Sequence, residues 1–373
     1  MDNFLPALVR DCLAVAHVKI SRCRNRAPET VLFPVIWITD RCNLRCAMCS
    51  QWRTSHNERE MSAEQWKRFI DELADMRVRV LTITGGEPLL RDDLTEIIRY
   101  AKGRGIPAHL CTNGTLIDDR RAGLLAASGL DSVSISIDSS DPRVHNAIRG
   151  ADCHSRAVDA VRSLRAASPR IRIGINCVIS SRNVSGIECM VAFAEELGAD
   201  QIKFDSIHTN LMHGKSLREE TGKYSFCESD MPRVRQEMER LRSAIAKSRL
   251  LSNSRYFLER MAAGPGANGR HLPCYAGYVS CTVDAFGRVS CCDHMTGEKS
   301  LKNETFASIW RSPYFKSMRD GKAMPGMLLG FDPRGTQYTL FRPVHCRAME
   351  AAIPRTRFLL RKGQPWKNMN FIE

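Results

Sequence analysis

From Pro34 onward, short β-branched runs alternate with amphipathic stretches of helical period. Val35–Thr39 reads as a strand, and Ala63–Met76 as a helix opened by Ser62 as N-cap with Gln65 at the capping-box position. Val80–Thr84 reads as strand, Leu94–Arg104 as helix, His109–Thr112 as strand and Asp118–Ala127 as helix. Ser132–Asp138 follows as a strand of alternating valine and isoleucine. Helix Ser155–Ala167, strand Ile171–Ile179, helix Ser185–Leu197 and strand Gln201–Phe204 complete the series. Six strand–helix units in a row predict a parallel sheet with right-handed crossovers. The expected fold class is α/β: a partial (β/α)6, TIM-like barrel over residues 34–206, open on one side, followed by a small C-terminal α+β domain. In such barrels active sites are built at the C-terminal ends of the strands.

The flanking segments read differently. Phe4, Leu5, Leu8, Val9, Cys12 and Leu13 fall at helical spacing, so residues 1–33 are expected as an amphipathic, basic extension. Packing on the barrel is preferred over a membrane-surface anchor for it. Residues 207–272 are polar, helical around Pro232–Arg249 and rich in Gly and Pro at Gly264–Gly269, as a connection would be. In the remaining residues 273–373, Val279–Val283 and Arg288–Cys292 read as a β-hairpin turning at Asp284-Ala285-Phe286-Gly287. No apolar run approaches the ~20 residues that span a bilayer.

Composition changes this picture only in part. The 373 residues are 43% hydrophobic and 26% charged, ordinary for a globular protein. The net charge of +14 raises a nucleic-acid reading. The basic residues are nevertheless spread and interleaved with acids, as at Arg59–Glu60 and Arg91–Asp92–Asp93. Local excess occurs at Lys19, Arg22, Arg24 and Arg26 and at Arg355, Arg357, Arg361 and Lys362, without an aromatic-interleaved stripe for stacking bases. Nucleic acid is therefore not the expected partner, and a membrane surface is a lesser one. Fifteen cysteines without a signal peptide point to a reducing, cytoplasmic setting in which thiolates stay free for metal.

Three of them, Cys42, Cys46 and Cys49, form a Cys-x3-Cys-x2-Cys loop directly after the first strand. A closed structural zinc site takes four protein ligands, and a cubane iron–sulfur cluster takes one per iron. Three thiolates leave one iron open to a ligand. The motif resembles the signature of the radical S-adenosylmethionine (SAM) superfamily. That resemblance implies a [4Fe–4S] cluster whose open iron is chelated by SAM and which, once reduced, cleaves SAM to a 5′-deoxyadenosyl radical. It also implies a reducing partner such as flavodoxin or ferredoxin. Gly85-Gly86-Glu87-Pro88, at the end of the second strand, resembles the family's element for the methionine amino group of SAM. Thr112, Asn113, Ser136, Asp138, Arg149 and Asn176, at or near later strand ends, are the other expected SAM contacts: Ser136 and Asp138 for the ribose, Arg149 for a carboxylate. Each is also a plausible cap or turn residue.

A second thiol group comprises Cys274, Cys281, Cys291, Cys292 and Cys346. Cys274-x12-Gly287-x4-Cys292 resembles the opening of SPASM and twitch domains, which bind auxiliary [4Fe–4S] clusters, and Cys346 resembles the return ligand of the single-cluster twitch type. One auxiliary cluster is expected, held by Cys274, Cys292 and Cys346, with Cys281 as the best fourth ligand and Cys291 as an alternative to Cys292. Inert buried thiols or zinc are the other reading. The resemblance implies hydrogen-atom abstraction and, with no preceding recognition domain of foldable size, leans towards oxidation or epimerisation of a small molecule of the aminocyclitol, sugar or nucleotide kind. Maturation of a ribosomal peptide is the alternative. An RNA-modifying enzyme and a non-catalytic electron carrier are more distant readings, and substrate and oligomeric state are not legible.

Overall fold

The computed structural model describes residues 4–49, 51–53, 58–207, 223–245, 248, 250–264, 275–293, 295 and 297–320. Its spine is an eight-stranded sheet. In chain order the strands are β1 (Val35–Trp37), β2 (Leu81–Thr84), β3 (Ala108–Thr112), β4 (Ser132–Ser136), β5 (Arg172–Ile179), β6 (Gln201–Ser206), β7 (Thr282–Val283) and β8 (Val289–Ser290). The first six run parallel in sequence order. Between them lie helices α2 (Ala63–Asp75), α3 (Leu94–Gly103), α4 (Asp119–Ala127), α5 (Pro142–Arg149), α6 (His154–Ala167) and α7 (Cys189–Glu196), after an N-terminal α1 (Phe4–Cys23). The partial barrel expected from the pattern is present.

Alternation on the strands makes two unlike faces. Leu110, Val133, Ile135, Ile173, Ile175, Ile202 and Phe204 are buried beneath the helices. The intervening positions, among them Cys111, Ser134, Ser136, Asn176 and Lys203, remain partly exposed and are mostly polar. Ser136, Asn176 and Lys203 stand in one register row across β4, β5 and β6. The concave face is thus largely polar and partly exposed, and the convex face an aliphatic core.

Local chemistry sets the helix starts. The Ser62–Gln65 capping box opens α2, both halves being formed. Trp66, Phe69, Ile70 and Leu73 are its buried stripe. Phe69 meets Phe306 edge-on at 5.1 Å between ring centroids, a geometry worth about 0.5–1.5 kcal/mol beyond area burial. Two differences from the expected elements stand out. Helix α5 was not foreseen as an element. It is announced by Asp141, whose carboxylate caps the N–H of Arg143, by Pro142 in its first turn and by Gly150 at its C-cap. The expected Ser185–Leu197 helix is shorter, because it forms only over Cys189–Glu196.

The C-terminal hairpin does not stand apart from the barrel sheet. Strand β7 runs parallel to β1, with Val35 opposite Thr282, and β8 returns antiparallel. Trp310 and Phe315, from the short helices Phe306–Arg311 and Pro313–Arg319, share the main core with the barrel residues. The expected boundary at residues 272–273 falls outside the described residues, as do residues 265–269 of the connection. Among the described residues no helix is long and apolar enough to cross a membrane.

Candidate active site

Cys42, Cys46 and Cys49 gather with Leu44 and Cys153 in one small cluster beyond the end of β1. The loop is braced on three sides. Gly86 N–H donates to Thr39 O at 2.8 Å and Glu87 N–H to Arg41 O at 2.8 Å, so the Gly-Gly-Glu stretch is laid against the chain entering the cysteines. A Cβ on Gly85 would overlap the carbonyl oxygen of Thr39, and one on Gly86 that of Arg41. The two glycines are therefore required by backbone contact. On a second side, Ala47 N–H donates to Ile148 O at 3.1 Å at the end of α5. On the third, Asn113 Nδ2 donates to Asn43 Oδ1 at 2.9 Å, and Asn43 Nδ2 to Thr115 Oγ1 at 2.9 Å. Trp52 adds a bond from its indole N–H to Cys46 O at 3.0 Å.

The donor set suits an iron–sulfur cluster. Three thiols sit in one loop, close enough that Cys46 and Cys49 each act electrostatically on Cys42. Burial pushes the Cys42 thiol up to about 12 and the Cys49 thiol up to about 11, and raises that of Cys46. Buried thiolates at such positions exist when a metal takes the place of the proton. Among the described residues no three His, Cys, Asp or Glu side chains converge on a single ion. A four-iron cube spaces its ligands more widely than one ion does.

Glu87 is buried and its carboxylate is already engaged. It accepts from Thr112 Oγ1 at 2.7 Å, Asn113 N–H at 2.8 Å and Leu89 N–H at 3.1 Å. Burial raises its pKa, and these donors oppose the rise. Thr112 and Asn113 are thus bound to Glu87 and to the loop brace. Of a carboxylate's roughly four acceptor sites, three are filled from within.

Asp138 and Arg149 form a buried pair, Nε to Oδ2 at 2.6 Å. The guanidinium also acts electrostatically on Cys46. Burial opposes its charge, but Asp138 and Cys46 more than offset that and hold it protonated. The other Asp138 oxygen accepts from Val178 N–H at 3.0 Å. Asp138 N–H donates to His145 Nδ1 at 3.1 Å, which leaves the His145 Nε2 proton facing Cys153 Sγ at 3.4 Å. Ser136 and Asn176 lie side by side on the concave face. Sequence reasoning missed Trp37, whose buried indole N–H has no partner among the described residues. Its place on β1, between the core residues Ile36 and Ile38, was the available signal.

Of the second thiol group, Cys274 and Cys346 lie outside the described residues. Cys281 and Cys291 are buried and Cys292 is partly exposed. Thr282 pairs with Ser290 on the antiparallel strands; Cys281 precedes the one and Cys291 follows the other, which sets the two cysteines opposite one another. Burial alone raises the Cys281 thiol.

An open cleft of about 890 Å³ starts at Cys42 and runs past Trp52, Glu60 and Arg91 to Phe286 in the hairpin turn.

The family model described as "Radical SAM superfamily" matches residues 36–183. The mycofactocin maturase MftC of Mycolicibacterium smegmatis is 30% identical over 291 residues, 76% of this chain and 71% of that protein. The AdoMet-dependent heme synthase of Methanosarcina barkeri is 27% identical over 309 residues, 78% of this chain and 86% of that protein. The PqqA peptide cyclase of Streptomyces rochei is 34% identical over 170 residues, 45% of this chain and 46% of that protein. Among solved structures, Streptococcus suis SuiB bound to S-adenosylmethionine superposes with a TM-score of 0.64 at 17% identity, over 83% of this chain and 71% of that chain, which shows a shared fold.

Proposed function

The chain belongs to the radical SAM superfamily, in its SPASM branch, and from that membership we propose that it matures a ribosomally made peptide. As a member it is an enzyme that binds a [4Fe–4S] cluster and SAM, and its branch carries an auxiliary cluster. When bound and reduced, the cluster and SAM supply a 5′-deoxyadenosyl radical that takes a hydrogen atom from the substrate.

The chain's own residues take the following parts in this reading. Cys42, Cys46 and Cys49 hold the cluster, and Gly85–Pro88 keeps their loop in place while presenting backbone to the methionine end of SAM. Ser136 and Asn176 are suited to its hydroxyl groups by their row on the concave face. The indole N–H of Trp37, without a partner among the described residues, is a further candidate donor to SAM. Cys274, Cys292 and Cys346 are proposed to hold the auxiliary cluster, with Cys281 or Cys291 beside them.

The observation that carries the peptide reading is the relationship to a maturase along three quarters of the chain, joined by the match to a peptide cyclase. It favours the peptide over the small molecule expected from the sequence. The cleft between Cys42 and Phe286 supports it, since its volume admits several residues of an extended segment. The heme synthase relative keeps a small-molecule substrate as the second reading. Synthetic peptides translated from any short open reading frames beside the gene serve as probes. Anaerobic incubation with SAM and dithionite should change the mass of one of them and raise 5′-deoxyadenosine above the peptide-free rate. No mass change in any peptide, with turnover stimulated by a small molecule instead, overturns the reading.

A further inference from the structure

Arg149, the residue expected at a carboxylate of SAM, is also tied into the protein. It is 8% exposed at the C-terminal end of α5 and is held by the Asp138 carboxylate at 2.6 Å. The carboxylate is fixed from its far side by Val178 N–H, and the Asp138 carbonyl by Asn183 Nδ2 at 2.7 Å. Gly150, next in the chain, packs its α-carbon against Arg45 O of the cysteine loop, where a Cβ would stand 2.7 Å away. Helix end, guanidinium and loop are therefore locked as a unit. With Ile148 O bonded to Ala47 N–H and Gly150 against Arg45 O, the guanidinium is a fixed positive charge on the stretch of α5 that lies beside Cys46.

We propose that Arg149 acts on the SAM-binding iron–sulfur cluster through Cys46, raising its reduction potential, and that Asp138 sets how much of the guanidinium charge the cluster feels. Reduction adds one electron to the cluster, drawn from the external reductant, with no bond made or broken. A buried cation beside a ligand cysteine favours the more negative, reduced form, since nearby charge is one of the protein's levers on cluster potential. Asp138, as counter-ion, damps that effect. The inference rests on reading Cys42, Cys46 and Cys49 as the cluster ligands.

The test is a redox titration of reconstituted full-length protein without SAM, followed by electron paramagnetic resonance. The signal that SAM addition perturbs identifies the cluster to be read. Arg149→Gln should lower the reduced-to-oxidised ratio at fixed poise at least tenfold, about 59 mV for a one-electron couple. Asp138→Asn should move it the opposite way. Arg149→Lys keeps the charge but loses the planar fork, so its shift should share the sign of Arg149→Gln and be smaller; it carries the test if Arg149→Gln holds less than its full iron. Opposite shifts from two neighbouring variants are not what loosened packing produces. An unchanged potential in Arg149→Gln, or the same direction of shift in Arg149→Gln and Asp138→Asn, overturns the proposal. Unchanged potential with weakened SAM binding would return Arg149 to the carboxylate. Failure of the underlying reading looks different: the SAM-perturbed signal would persist after loss of the three cysteines.

Discussion

Glu87 shows how much one buried side chain can hold. Its two oxygens join β2 to the ends of β3 through Thr112 and Asn113, and its own N–H bonds to the loop leading into Cys42. Glu87→Gln turns one acceptor into a donor that faces another donor. A cost of about 1–3 kcal/mol in unfolding free energy follows from one unsatisfied buried group, read by denaturant titration of the apoprotein. His145 gives a pH signature. Burial first, then Arg149, lowers its pKa to about 4, against Asp138, which raises it. Between about pH 6.5 and 4 the unfolded chain therefore binds a proton that the folded chain does not. Stability is fully present above that window and falls as pH drops through it, by up to about 1.4 kcal/mol per pH unit from this group. His145→Gln should flatten that part of the stability profile relative to the wild type. An identical slope in both proteins would mean that His145 is protonated in the fold.

Among the elements, α5 carries the most consequence for its length. Eight residues bring Arg149 to Cys46 and a carbonyl to Ala47 N–H. Gly150 closes the helix at φ 69°, the left-handed region that costs other residues about 1–2 kcal/mol. Gly150→Ala adds both that strain and a clash with the cysteine loop. Iron bound after reconstitution should fall, and the loss should come from the SAM-perturbed signal, whereas full iron would mean that the loop tolerates movement. The strand–helix alternation was legible because each strand places aliphatic residues at every second position and each helix shows its own stripe. Gly85–Gly86 and the cysteine loop were legible as partners in function, though not as partners in backbone hydrogen bonding, since spacing does not reveal which chain segments touch. Arg149 and Asp138 were picked out from position, but their pairing depends on a helix too short to show a period. The signals for that helix were local: Asp141, Pro142 and Gly150.

For the whole molecule, the hairpin β7–β8 extends the barrel sheet on the β1 side, beside the strand that carries the cysteine loop. The cleft from Cys42 to Phe286 follows from that arrangement, and so does the proposal that a peptide segment lies along it. Two cubanes would bring about eight irons per chain, four for each. Loss of the first site alone should leave about half. The central claim, that Cys42, Cys46 and Cys49 hold the cluster that cleaves SAM, is tested most directly by their combined replacement with alanine. Reconstituted wild-type protein given dithionite and SAM under argon should release 5′-deoxyadenosine, and the triple variant should release none above the protein-free background while keeping its remaining iron. Release of 5′-deoxyadenosine by the triple variant at the wild-type rate would contradict the account.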